Sequence, residues 1–135
     1  MKVVVETPKF SFRKYEESGG GFRPVLTSPL PTLFNYGFVP GSVSGDGKPV
    51  DVLVLGGRLP QGSRFEARKV GVVGFVDDGV VDDKIVASGD GGRVSGFQRR
   101  KILVFFHAYS LFKKIRCLFF EGRVPDTRFT GLRVQ

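Results

Sequence analysis

Two groups of aspartates stand out in this 135-residue chain. Asp46 and Asp51 flank Gly47-Lys48-Pro49-Val50, and Asp77, Asp78, Asp82 and Asp83 are followed at once by Lys84. Clustered carboxylates suit Mg²⁺ or Mn²⁺, hard ions that take oxygen ligands and keep waters and phosphate oxygens in their shells. Taken singly, a loop aspartate is an ordinary turn former. Asp51 is different, because it interrupts the apolar run Val50-Asp51-Val52-Leu53-Val54-Leu55, where a charge needs a partner. His107 is the only histidine and Cys117 the only cysteine. A histidine-based metal centre, a histidine-assisted nucleophile and an intramolecular disulfide are therefore excluded. His107 reads as a helix-surface residue and Cys117 as a small apolar side chain.

The scaffold that must position these groups reads as mainly β. Apolar residues make up 41% and charged residues 25%, while 19 glycines and 8 prolines favour turns over long helices. One compact domain over 1–135 is expected from this length. The formal net charge of +8 and a pI near 10.0 point to an anionic partner. The acids are clustered, whereas the bases spread over 93–101, 113–116 and 123–133. No apolar stretch is long enough to span a bilayer or to form a signal-peptide core, and one cysteine fits a reducing compartment, so a cytoplasmic location is expected.

Along the chain, Val3-Val4-Val5 reads as a strand, and Gly19-Gly20-Gly21 as the turn of an opening hairpin. Four prolines between 23 and 40 argue for an extended connection that ends in Asn35-Tyr36-Gly37-Phe38. Strands are expected over 50–55, 64–70, 71–76 and 84–87, with Asp77-Asp78-Gly79 as a turn between two of them. The segment 88–98 reads as a flexible loop. Ile102, Phe105, Phe106, Tyr109, Phe112 and Ile115 recur at spacings of three and four and predict an amphipathic helix. The last fifteen residues are basic and weakly patterned.

Six blocks then stand in a meaningful series: Val4-Val5-Glu6-Thr7-Pro8-Lys9, Lys14-Tyr15-Glu16, Asn35-Tyr36-Gly37-Phe38, Asp46 through Val54, Arg68 through Val72, and Asp82 through Ala87. In order and spacing they resemble the family I soluble inorganic pyrophosphatases. The likeness runs from about Val3 to Tyr109 and fades after Phe120. It implies a small five-stranded β-barrel of OB type, with a packed C-terminal amphipathic helix. It further implies Mg²⁺-dependent hydrolysis of pyrophosphate or a related phosphoanhydride by a metal-activated water, with Mn²⁺ as a possible substitute. By resemblance Asp46, Asp51 and Asp82 form the central metal site, and Asp77 and Glu6 serve the remaining ions. Lys14, Lys84, Tyr36 and Tyr109 hold phosphate oxygens, and Glu16 orients its neighbours.

Four positions depart from the family pattern. Lys48 replaces an aspartate credited with accepting the nucleophile's proton, a role closed to a protonated amine. An arginine position aligns with Pro24, leaving Arg23 one residue off; a tyrosine position holds Thr32; and the lysine after Tyr109 is Ser110. Lys48 is thus open to two readings, an ammonium that displaces one metal ion or an amine that serves as base. The expectation is a diphosphatase, with a weak or silent homologue that binds metal and phosphate as the alternative. An OB-type nucleic-acid module is a third reading, given 14 Phe and a basic chain, but most Phe sit at core-periodic positions and nucleic acid is not expected as partner. Relatives imply a homo-oligomer, a hexamer by resemblance, and no membrane is expected.

Overall fold

The structure is a computed structural model and describes residues 1–28, 31–89 and 92–134. In chain order it contains β1 (Lys2–Thr7), β2 (Arg13–Ser18), β3 (Gly21–Thr27), β4 (Asn35–Phe38), β5 (Asp51–Leu55), β6 (Arg64–Glu66), β7 (Arg68–Asp77), β8 (Val80–Val81), β9 (Lys84–Ser88), α1 (Gly96–Glu121) and β10 (Arg128–Val134). The main sheet has the order β10-β7-β9-β5-β4-β1-β6, with β8 on β7, and β2-β3 form a separate hairpin. Five neighbours in this path, β7-β9-β5-β4-β1, make a five-stranded core of the size expected for the OB type, four of them expected as strands and β4 arising from the segment read as a connection.

The strand path itself does not close by a ladder among the described residues. Its end strand β6 instead runs into β7 through one residue, Ala67, whose N–H donates to Met1 O at 2.8 Å. A bend in the chain therefore joins the end strand β6 to β7, the strand next to the other end.

β5 explains how the core is divided. Its side chains alternate, so that Leu53 and Leu55 face one apolar cluster while Val52 and Val54 face another. Both faces are covered, which is why the sequence shows a continuous apolar run rather than a half-polar one. The larger cluster joins Phe34, Tyr36, Val73, Phe75 and Val86 to Ile102, Phe105 and Phe106 of α1. Gly37 sets the spacing of β4 against β1: a Cβ there would lie 2.1 Å from Val4 O, so a side chain would force the strands apart.

Helix α1 is longer than the periodicity predicts. Ser95 caps its start, accepting from Gln98 N–H while the Gln98 side chain returns to the Ser95 N–H, and Gly122 ends it in a left-handed conformation. One face packs Ile102, Phe105 and Phe106 on the sheet, with the last two rings edge-on at 5.2 Å. Val104, Leu111, Ile115 and Leu118 on the other side are exposed. Among the described residues no helix is long and apolar enough to cross a membrane.

Several boundaries differ from expectation. The segment expected as an irregular extended connection contains β3 and β4; Pro24 is tolerated because β3 pairs with β2 alone and lacks no ladder donor on its open side. The Gly19-Gly20 turn does make a hairpin, but between β2 and β3, whereas β1 joins the main sheet. The break in 64–76 falls at Ala67, so β7 runs unbroken through Gly71. Ser88 ends β9 and Gly96 starts α1, which shortens the expected loop; positions 90 and 91 of it lie outside the described residues. The unpatterned tail contains β10, a half-exposed edge strand paired with β7.

Phe106 is fully buried and Phe119 is 80% exposed on the same helix. Phe106→Ala is expected to cost about 3–5 kcal/mol, read as a lower urea midpoint, while Phe119→Ala shifts it by less than about 0.5 kcal/mol. Equal shifts in the two variants would show that the helix does not dock through this face.

Candidate functional site

Strand polarity gathers the chemistry at one end of the sheet. β5 and β9 run parallel, with Val52 opposite Ile85, so the residues that open them, Asp51 and Lys84, stand side by side. β4 is antiparallel to β5 and brings Phe38 against Asp51, while β1 places Thr7 opposite Tyr36. β7 is antiparallel to β9, and its last residue, Asp77, enters a turn in which Asp78 and Gly79 both have positive φ. Thr7, fully buried, accepts from Tyr15 N–H at 3.0 Å through its hydroxyl and ties the β2-β3 hairpin across this end.

The resulting cavity, about 150 Å³, is lined by Glu6, Lys14, Glu16, Tyr36, Asp46, Lys48, Asp51, Asp77, Asp82, Lys84 and Tyr109. Every candidate residue from the sequence lies here except Arg23. That side chain is exposed on β3, opposite Glu16 in the hairpin register, and is not part of the cavity lining. Asp78 and Asp83 also fall outside: Asp78 accepts both guanidinium nitrogens of Arg123, and Asp83 accepts from Phe75 N–H. The cavity holds one cation that the sequence did not single out, Lys113. Its helical spacing from Tyr109, four residues on, is the signal that places both on one side of α1.

Lys84 is the centre of the cavity's electrostatics. Its side chain is 2% exposed, and its ammonium donates to Asp51 Oδ2 at 2.8 Å and Asp82 Oδ2 at 3.0 Å. It also lies 5.6 Å over the Phe75 ring. Burial opposes its charge, yet Asp51 and Asp82 raise its pKa above the usual lysine value. Asp82 is raised as well, because burial and repulsion from Asp51 and Asp46 outweigh the attraction of Lys84.

Glu6 shows the same crowding without an ammonium of its own. Burial first, then Asp51 and Glu16, push its carboxyl up to about 7, against a hydrogen bond from Glu17 N–H at 2.7 Å. Asp46 is held low despite some burial by Ser44 Oγ and the Lys48 N–H. The Lys48 ammonium sits 3.3 Å from Glu16 Oε1 and is 62% exposed.

Around Tyr109 the balance reverses. Lys14 Nζ donates to its hydroxyl at 3.4 Å, and Lys14 and Lys113 lie 5.5 and 5.4 Å from its ring. Burial would raise the phenol, but Lys14, Lys113 and Lys84 together bring it below its ordinary range. Lys14 is held protonated against burial by Tyr109, Asp51 and Asp82. Tyr36, buried beside them, is pushed up by burial and by Tyr109, Asp51 and Asp82. Carboxylates thus crowd around Glu6, Glu16 and Asp51, Lys14 and Lys113 flank Tyr109, and Lys48, Lys84 and Lys113 each pair with a carboxylate.

The model of the inorganic pyrophosphatase family matches residues 3–121. The chain belongs to the inorganic pyrophosphatase family. It is 40% identical over 92 residues to the inorganic pyrophosphatase of Sulfolobus acidocaldarius, covering 64% of this chain and 53% of that protein. To the Haemophilus influenzae inorganic pyrophosphatase it is 41% identical over 91 residues, covering 64% and 52%. The chain spans about half the length of the curated relatives it matches. The pyrophosphatase structure from Neisseria gonorrhoeae superposes with a TM-score of 0.82 at 29% identity, over 99% of this chain and 82% of that one. The one from Thermus thermophilus gives 0.82 at 25%, with the same coverage. Pyrophosphatases of this family imply a divalent metal.

The donor set tests that implication. Six carboxylates and four lysines line the cavity, so with every acid ionised two negative charges remain, enough for one divalent cation. The donors are all oxygens, as Mg²⁺ or Mn²⁺ requires. Among the described residues, however, no three carboxylates converge in metal-ligand geometry, because Lys84 stands between Asp51 and Asp82. The residues fit a divalent ion in type and charge, with two of the expected three carboxylates, Asp51 and Asp82, bridged by the Lys84 ammonium and Asp46 held apart by Ser44 and the Lys48 N–H.

A native carboxyl raised to about 7 keeps a proton that the unfolded chain releases near 4.5. Metal-free protein should therefore lose stability as pH rises through this window. Glu6→Gln is expected to flatten the slope of melting temperature between pH 4.5 and 7 in chelator, and an unchanged slope would show that Glu6 ionises freely.

Proposed function

We propose that this chain hydrolyses inorganic pyrophosphate to two phosphates with Mg²⁺, Mn²⁺ serving in its place. The observation that carries the reading is a single cavity in which carboxylates suited to metal adjoin ammonium groups suited to phosphate. A divalent ion bound there would lower the pKa of a water and offset charge on the phosphates. Asp46, Asp51 and Asp82 are proposed to hold the central ion, with Asp51 and Asp82 shared with Lys84, and Asp77 and Glu6 to serve the ions that remain. Lys14, Lys84, Tyr36 and Tyr109 are proposed to bind phosphate oxygens. Glu16 positions Lys48 through their ion pair.

Lys48 bears on rate. Where the family has a proton-accepting aspartate the chain has Lys48 paired to Glu16, so the proton from the attacking water must leave by another route, and slow turnover follows. The weak or silent homologue is the second reading, and this residue favours it. We further propose one domain over residues 1–135, a cytoplasmic location in keeping with the single free cysteine, and a homo-oligomer, a hexamer by resemblance. The exposed apolar row Val104, Leu111, Ile115 and Leu118, which repeats at heptad-like spacing, supports association through α1.

Phosphate release from pyrophosphate in Mg²⁺, run beside ATP and tripolyphosphate, tests the reading. Wild type is expected to prefer pyrophosphate and to turn over slowly, and Lys48→Asp to raise the rate by up to about 10²–10⁴-fold. No release by either protein would refute hydrolysis, and a faster reaction on ATP would refute the substrate.

A further inference from the structure

Lys113 has no role in the pattern of aspartates and lysines read from the sequence, yet it lines the site cavity beside Tyr109 and Asp77. It also lines the adjoining cavity of about 360 Å³ that contains Arg116 and Arg123, so it stands at the threshold between the two. Ser110, one turn earlier, is buried and donates its hydroxyl back to His107 O, which removes it from any contact with an anion. We infer that Lys113 is a substrate-binding residue, donating from its ammonium to a phosphate oxygen on the Tyr109 side of the cavity. This rests on the reading of the cavity as a pyrophosphate site.

Three observations support it. The ammonium is tethered to Asp77, itself fixed by the Thr127 hydroxyl at 3.3 Å, so its position is set before any ligand arrives. Lys113 and Lys14 flank the Tyr109 ring at nearly equal distances, which makes Tyr109 the middle of a cationic triad completed by Lys84. Finally, the pair with Asp77 is about a third exposed on each side, and ion pairs at such exposure contribute little to folding. With three N–H donors, the ammonium can keep Asp77 and still donate to a phosphate oxygen.

The test compares wild type with Lys113→Met and Lys113→Arg, measuring KM and kcat for pyrophosphate and the Kd of methylenediphosphonate in saturating Mg²⁺. Lys113→Met is expected to raise both KM and Kd by about tenfold or more with kcat changed less, and Lys113→Arg to recover most of the loss. If Lys113 serves only to neutralise Asp77, melting temperature shifts and the analogue Kd stays within about twofold, which overturns the inference while wild-type hydrolysis leaves the pyrophosphate reading intact. A wild type that neither hydrolyses pyrophosphate nor binds the analogue overturns both. Should Lys113→Met melt before the assay temperature, Lys113→Gln gives the same comparison.

Discussion

A buried ammonium bridging two carboxylates is the constraint on which the site depends. Lys84 opens β9 at the level of Asp51 on β5, and Asp82 precedes it by two residues. Leaving any one of these charges alone in the interior would cost several kcal/mol, so the three must stay together in the folded chain. Parallel pairing is what makes this possible, since it sets the starts of β5 and β9 next to each other. The antiparallel strands on either side then bring Tyr36 and Asp77 to the same end.

Around that bridge the charges are distributed unevenly. The chain as a whole carries +8, yet the cavity lining, with every acid ionised, is negative. The excess lies by Glu6, Glu16 and Asp51, where burial and mutual repulsion keep the Glu6 carboxyl near neutrality in its proton affinity. Lys14 and Lys113 flank Tyr109, whereas Lys48 pairs with Glu16. An anion approaching the basic surface is drawn to the ammonium side, while the carboxylate side retains its demand for a cation.

Much of this was legible in the sequence because the strands concerned are buried on both faces. Apolar runs marked β1, β5, β7 and β9, and a lone aspartate inside one of them pointed to a partnered charge. Edge elements were not legible: β3 carries Pro24, and β10 has a register shift at Gly131 that breaks its alternation. Arg23 lies one residue from a family position, yet on the exposed β2-β3 hairpin it is not part of the cavity lining. Lys113 escaped notice because it looks like its neighbours Lys114 and Arg116 in the chain. Helical phase relative to Tyr109 alone distinguishes it. Exposure of Phe10, Phe12, Phe97, Phe119 and Phe120 likewise could not be read from periodicity.

The central claim is that this cavity's uncompensated charge equals that of one divalent ion. Equilibrium dialysis of Mn²⁺ against substrate-free protein at about pH 8, where Glu6 is ionised, measures it directly. Saturation at about one ion per chain, lost in Asp51→Asn, is the result this charge balance predicts. Saturation at three or more ions, or no binding at all, would contradict it.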